Sequence, residues 1–164
     1  MSYIDRNLMD GEHIVYRAKL HWVIFIWPIV WFIVALAFYG VGVNIKEATV
    51  RTFIVAIAGM FILSAIITFI RPLIQYVTSE FGITNRRVIV KIGLFRRTSL
   101  EVLLNKIEGI QVNQSILGRL VGFGSITVTG TGGTKDPFHN IAGPFEFRKQ
   151  AQGQIASVQA LENR

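Results

Sequence analysis

Two uncharged stretches dominate the hydrophobic pattern of this 164-residue chain. Trp22 to Val43 runs 22 residues without a charge, rich in Ile, Val, Phe, Trp and Ala, and Thr52 to Ile70 runs 19. At about 1.5 Å per residue the first is roughly 33 Å long as a helix, against a hydrocarbon core of about 30 Å, and the second is near the minimum needed to cross. Neither run has a polar face, so the pattern predicts membrane-spanning helices at 22–43 and 52–70. Pro28 is expected to remove one backbone hydrogen bond from the first, and Arg71-Pro72 to close the second. The connection at 44–51 is too short for a domain. The helices are therefore antiparallel neighbours, and both chain ends lie on one side of the bilayer.

After Ile74 the period changes. Ser125 to Thr129 alternates, with Ile126 and Val128 on one face, the two-residue period of a half-buried strand. Arg86 to Ile92 does the same, with Val88, Val90 and Ile92 apolar and Arg87 and Lys91 opposite. Together with Tyr76–Ile83, Leu94–Leu103 and Phe138–Ile141, and with Gly130–Thr134 as a hairpin tip, this predicts a meander of antiparallel strands. A short helical turn is predicted at Ser115–Val121. Gly143-Pro144 opens a last segment in which Phe147, Ala151, Ile155, Val158 and Leu161 recur at spacings of four and three, an amphipathic helix laid across the strands. On this reading 1–21 is a cytoplasmic N-terminal segment and 74–164 a cytoplasmic domain.

Composition sharpens the picture. The chain is 51% hydrophobic and 16% charged, where a globular domain carries about 25% charged residues. Its lack of cysteine excludes a disulfide framework, thiolate metal sites and a cysteine nucleophile. Arg6, Arg17, Lys19, Arg71, Arg86 and Arg87 flank the helices on one side and only Lys46 and Arg51 on the other, which predicts cytoplasmic termini and an outward turn. Trp22 and Arg71 are the expected interface anchors. Ala35-Leu36-Ala37 imitates a signal-peptide cleavage site, but Asp5, Asp10 and Glu12 precede the run and the run continues to Val43.

No catalytic constellation emerges. His13, His21 and His139 are scattered, and Asp136 with His139 lacks a third converging partner. Gly130 to Lys135 has the wrong spacing for a phosphate loop, and Gly122-Phe123-Gly124 lacks the third glycine of a dinucleotide fingerprint. No cofactor, metal or catalytic residue is expected. From Arg71 onward twelve Lys/Arg face six Asp/Glu. Arg86, Arg87, Lys91, Arg96 and Arg97 fall within 12 residues on two neighbouring strands. Such an edge is suited to contact with the anionic leaflet or its lipid headgroups, at about 1 kcal/mol per basic residue. The plainer alternative is a solvated strand face. Aromatic residues do not interleave with the basic ones, which argues against nucleic acid.

The residues also carry a resemblance. Thr84-Asn85-Arg86-Arg87-Val88-Ile89-Val90, Gly93-Leu94, Lys106-Ile107-Glu108-Gly109-Ile110-Gln111-Val112, Leu117-Gly118-Arg119-Leu120-Val121-Gly122-Phe123-Gly124, and Asn140-Ile141 with Pro144 resemble the bacterial pleckstrin-homology domains of the second type, over roughly Tyr76 to Leu161. The preceding helical hairpin is similar to that family too. The resemblance implies a bent, seven-stranded antiparallel barrel capped by a C-terminal helix, of which six strands are distinct in the pattern. The fold class expected is thus an α+β membrane protein, a transmembrane hairpin followed by a pleckstrin-homology-like β-barrel.

Such folds bind lipids or proteins and do not catalyse. The expectation is therefore a non-enzymatic, membrane-anchored interaction or scaffold module on the cytoplasmic face of the bacterial inner membrane. Its partners would be the lipid bilayer, an unidentified protein and, through strand edges or the membrane helices, further copies of itself. The alternative is a sensor of anionic headgroups reading lipid through the basic strands.

Overall fold

The two apolar runs fold as helix here. In the computed structural model, which describes residues 3–93, 98–131 and 135–162, a short 3₁₀ turn at Trp22–Phe25 leads into α2 (Ile26–Val43), and α3 follows at Ala48–Thr78. (α1 is the short N-terminal helix Tyr3–Arg6.) Pro28 is the third residue of α2, where a backbone N–H has no intrahelical partner, so it opens the helix and interrupts nothing. Arg71-Pro72 does not close the second helix either. Proline there removes one donor, and α3 runs on through Thr78, converting Tyr76–Thr78 from expected strand to helix.

The chain divides into two units, Met1–His21 with Gln75–Arg164, and Trp22–Ile74. In the helical unit, Pro28, Ala35 and Gly42 on α2 and Ala58 and Ala65 on α3 are the buried residues, spaced by sevens along one seam. Small residues let the backbones approach closely. A Cβ on Gly42 would meet Val55 Cγ2 at 3.1 Å and Ile54 Cγ2 at 3.2 Å. Trp31 and Phe38 flank Phe61 at ring distances of 5.6 and 5.3 Å, and Phe25 meets Phe69 at 5.2 Å, as antiparallel helices require. Both helices are long and apolar enough to cross a membrane, and only 11% of each apolar window is buried.

Among the described residues the other unit holds seven strands in two antiparallel sheets. β1 (Ile14–Ala18), β2 (Glu80–Thr84), β3 (Arg87–Ile92) and β4 (Thr98–Leu103) form the first in that order; β5 (Ile107–Asn113), β6 (Phe123–Gly130) and β7 (Lys135–Ala142) form the second. The strand missing from the sequence pattern is β1. It lies within residues 1–21, which therefore belong to the domain and are not a separate segment. Its pairing partner is β2, beyond 61 intervening residues that include both apolar helices, so no local alternation announced it.

The expected closed barrel is not formed. The sheets meet at one margin, through the Leu20–Ile141 bridge, the His21 amide donating to the Asn140 carbonyl at 2.6 Å and the Ala142 amide to the Lys19 carbonyl at 3.0 Å. At the other margin a 3₁₀ turn, Leu104–Lys106, carries the chain from β4 to β5 with no ladder between them among the described residues. α5 (Pro144–Glu162) packs against that turn and against β5, β1, β6 and β2. Phe147 and Ala151 of its apolar stripe are buried, and Phe81 meets Phe138 edge-on at 6.1 Å between the sheets. The expected turn at 115–121 is α4 (Ile116–Val121), capped by the Ser115 hydroxyl, which accepts from the Gly118 amide at 3.0 Å. Gly122, at φ +90°, ends it in the left-handed conformation that glycine adopts without strain.

Candidate interaction surfaces

The register of β2 and β3 determines where the basic residues point. Phe81 pairs with Val90 and Ile83 with Val88, facing the core. Alternation then puts Gly82 and Thr84 on the outer face with Arg87, Ile89 and Lys91. That face is covered by the N-terminal residues. Ile4 lies over Gly82, whose added Cβ would stand 2.7 Å from Ile4 Cδ1. Glu80 accepts from the amides of Tyr3 and Ile4 at 2.9 and 3.1 Å.

Arg87 is consequently not a surface residue. It is 6% exposed. Its Nε and Nη2 donate to the two Glu12 carboxylate oxygens at 2.9 Å each, Nη1 to Glu101 Oε2 at 2.6 Å, and Nη2 also to the Asn7 carbonyl at 2.6 Å. The Met9 amide and the Thr84 hydroxyl complete the set around Glu12, at 2.8 and 2.7 Å. Burial pushes the Glu12 carboxyl upward, but the hydrogen bonds from Arg87, Met9 and Thr84 outweigh it and hold the group below its usual range. The same hydrogen bond to Glu12 raises Arg87 further. This is a structural ion-pair cluster, and it withdraws Arg87 from any lipid-contact surface.

The remaining predicted residues do not assemble into one basic face. Arg86 is exposed at the turn between β2 and β3. Lys91 is half-buried, with its ammonium 4.8 Å from the centroid of the Tyr3 ring, a cation–π contact. Arg96 and Arg97 lie outside the described residues. Trp22 is half-exposed in the 3₁₀ turn, and Arg71 is exposed on α3.

Two surfaces were not singled out from sequence. On α4, Ile116, Leu117 and Leu120 are 81%, 68% and 80% exposed. The inner position is Gly118, where a Cβ would stand 2.5 Å from the Phe123 carbonyl oxygen, so the helix lies tight on β6 and turns its large side chains outward. The signal was present: a six-residue helix with four aliphatic residues has no room to bury them all. The second surface is a cavity of about 340 Å³ lined by Ile4, Arg17, Lys19, Tyr76, Val77, Ser79 and their neighbours. Beside it the buried Ser79 hydroxyl has no hydrogen-bond partner. Elsewhere the Ser125 hydroxyl meets His139 Nδ1 at 2.9 Å, and no cluster of three metal-ligating side chains occurs among the described residues.

Two antiparallel sheets of four and three strands, joined at one margin and covered by a C-terminal helix, define the pleckstrin-homology-like class. The chain belongs to the family of bacterial PH domains, whose family model it matches over residues 18–155. The match begins at the end of β1 and so takes in both apolar helices as well as the sheets. No curated protein and no solved structure matched. PH-like domains are typically non-catalytic.

Proposed function

We propose that this chain is a non-catalytic docking module, anchored in the bacterial inner membrane by α2 and α3, whose PH domain holds a protein partner at the cytoplasmic face through α4. The observation that carries the reading is where apolar side chains remain uncovered. Only 11% of each helix's apolar window is buried, which suits lipid and not water. In the sheet unit Phe81, Ile83, Val88, Val90, Ile126, Val128 and Phe147 are fully buried, while α4 leaves Ile116, Leu117 and Leu120 out. Large aliphatic side chains at such exposure mark interaction sites. Arg119 stands among them, so the fitting partner offers an apolar groove with a carboxylate on its rim. The excess of basic residues beside the helices supports cytoplasmic termini.

Headgroup sensing by the β3 face has less support, because Arg87 is spent on Glu12 and Glu101. The test is a photo-crosslinking residue at Ile116, activated in intact cells. A discrete protein adduct that disappears when Leu120→Glu is added supports the reading, and an adduct to a second copy would make the partner a homo-oligomer. Adducts to lipid alone would overturn it.

A further inference from the structure

We propose that the open edge of β5 pairs with the same edge of a second copy of this chain, antiparallel and with Gln111 on the two-fold axis. This surface is separate from α4, and the pairing stands whatever α4 holds. β1 and β7, the outer strands at the other margin, are tied to each other by the Leu20–Ile141 bridge. β5 is paired with β6 on one side and has no ladder on the other among the described residues. Every second residue of such a strand turns its N–H and C=O outward, a template for another strand. A groove of about 580 Å³ lies beside this stretch, lined by Gly109, Ile110, Gln111 and Val112, by Thr127 of β6 and by Arg148 of α5.

The sequence of β5 decides the occupant. Its register breaks between Ile107 and Gly109, so Gly109–Asn113 is the regular part. Ile110 and Val112 pair with buried Val128 and Ile126 on the core face and are half-buried themselves. Gly109, Gln111 and Asn113 are exposed on the other face. Matching this regular stretch in full with that of a second copy, antiparallel, sets Gln111 against Gln111. Ile110 then meets Val112 of the second copy, twice by symmetry, and Gly109 meets Asn113. The two carboxamides at the axis donate to and accept from each other. Centring the pairing on Ile110 would instead lay Glu108 against Val112. The charges at the groove, Glu108 and Arg148, are opposite in sign, and neither is in an ion pair among the described residues. The surface therefore meets its copy without net charge. Gly109 has no positive φ, and a Cβ there would meet nothing within 4 Å. The chain's own packing does not demand glycine at 109, whereas close approach of a second backbone favours it.

The chain has no cysteine, so single cysteines read the register directly, in the full chain in mild detergent. Gln111→Cys should give a disulfide-linked dimer under mild oxidation, since directly opposed residues have Cα atoms about 4.5–5.5 Å apart, within disulfide range. Gly109→Cys and Asn113→Cys should each fail alone, because an offset of four residues sets like positions about 13 Å apart, and should link when the two chains are mixed. Gln111→Lys and Gln111→Glu should each raise the dissociation constant of the dimer about fivefold in native mass spectrometry. Mixed together they should recover the affinity as heterodimers, which also shows that both variant chains fold. No disulfide from Gln111→Cys, equal linking at all three positions, or a dimer indifferent to both charges would overturn the pairing.

Discussion

Glu12 and Arg87 lie 75 residues apart in the chain and meet carboxylate to guanidinium, through parallel hydrogen bonds of 2.9 Å from Nε and Nη2. The pair fastens the N-terminal residues over the outer face of β2 and β3. A second carboxylate, Glu101 on β4, holds the third guanidinium nitrogen. The guanidinium therefore ties three separated stretches of the domain together.

Arg87→Met should destabilise the domain by about 3–5 kcal/mol, because it leaves Glu12 buried with its charge uncompensated. Arg86→Met, at an exposed turn, should cost less than about 0.5 kcal/mol. Denaturant unfolding of the full chain in mild detergent reads both. Equal effects would show that burial does not distinguish the two arginines.

Acid should loosen the same connection. Folding holds the Glu12 carboxyl below its ordinary 4.5, so the unfolded chain takes up a proton there before the folded one does. The stabilisation is complete above pH 4.5 and is lost as pH falls through the lower folded value. Glu12→Gln should flatten that part of a stability-against-pH curve. A slope unchanged by the substitution would contradict the assignment.

A fragment comprising 74–164 should not fold as a soluble domain. It lacks β1, leaves the edge of β2 open, and uncovers Ile89 and Arg87 on the outer face. Dispersed amide resonances or a cooperative melt from that fragment would show the N-terminal residues to be dispensable.

α4 should depend on its two smallest contacts. Ser115→Ala removes the N-cap and should cost about 1 kcal/mol. Gly118→Ala puts a methyl group against the Phe123 carbonyl and should disturb the helix more, since backbone cannot step aside as a flexible side chain can. Hydrogen exchange at 116–121 reports both; protection unaffected by Gly118→Ala would contradict the close approach.

Much of the fold is visible in the chain itself, for identifiable reasons. The runs around Ala35 and Ala58 lack any polar face, β6 alternates without interruption, and Phe147 and Ala151 repeat at helical spacing. β1 is not visible, since Ile14–Ala18 is short and its partner lies beyond both apolar helices. That omission also hid the burial of Arg87. Alternation along β3 says which residues share a face, but not that a distant segment covers it. Ser79 fell in a stretch read as strand, and its hydroxyl's lack of a partner is something no pattern displays. The apolar helices were legible: the first spans 22–43 as read, whereas the second runs beyond 52–70 at both ends, because Pro72 is tolerated where it stands.

Orientation in the bilayer is the claim on which the rest depends, and the absence of native cysteine makes it directly measurable. Single cysteines replace Lys46, in the connection between α2 and α3, and Gln152, on α5, and intact cells are treated with a membrane-impermeant maleimide. The account predicts labelling at 46 from outside and at 152 only after the inner membrane is opened. Labelling of 152 in intact cells, or release of the unlabelled chain into buffer by alkaline washing of the membranes, would contradict it.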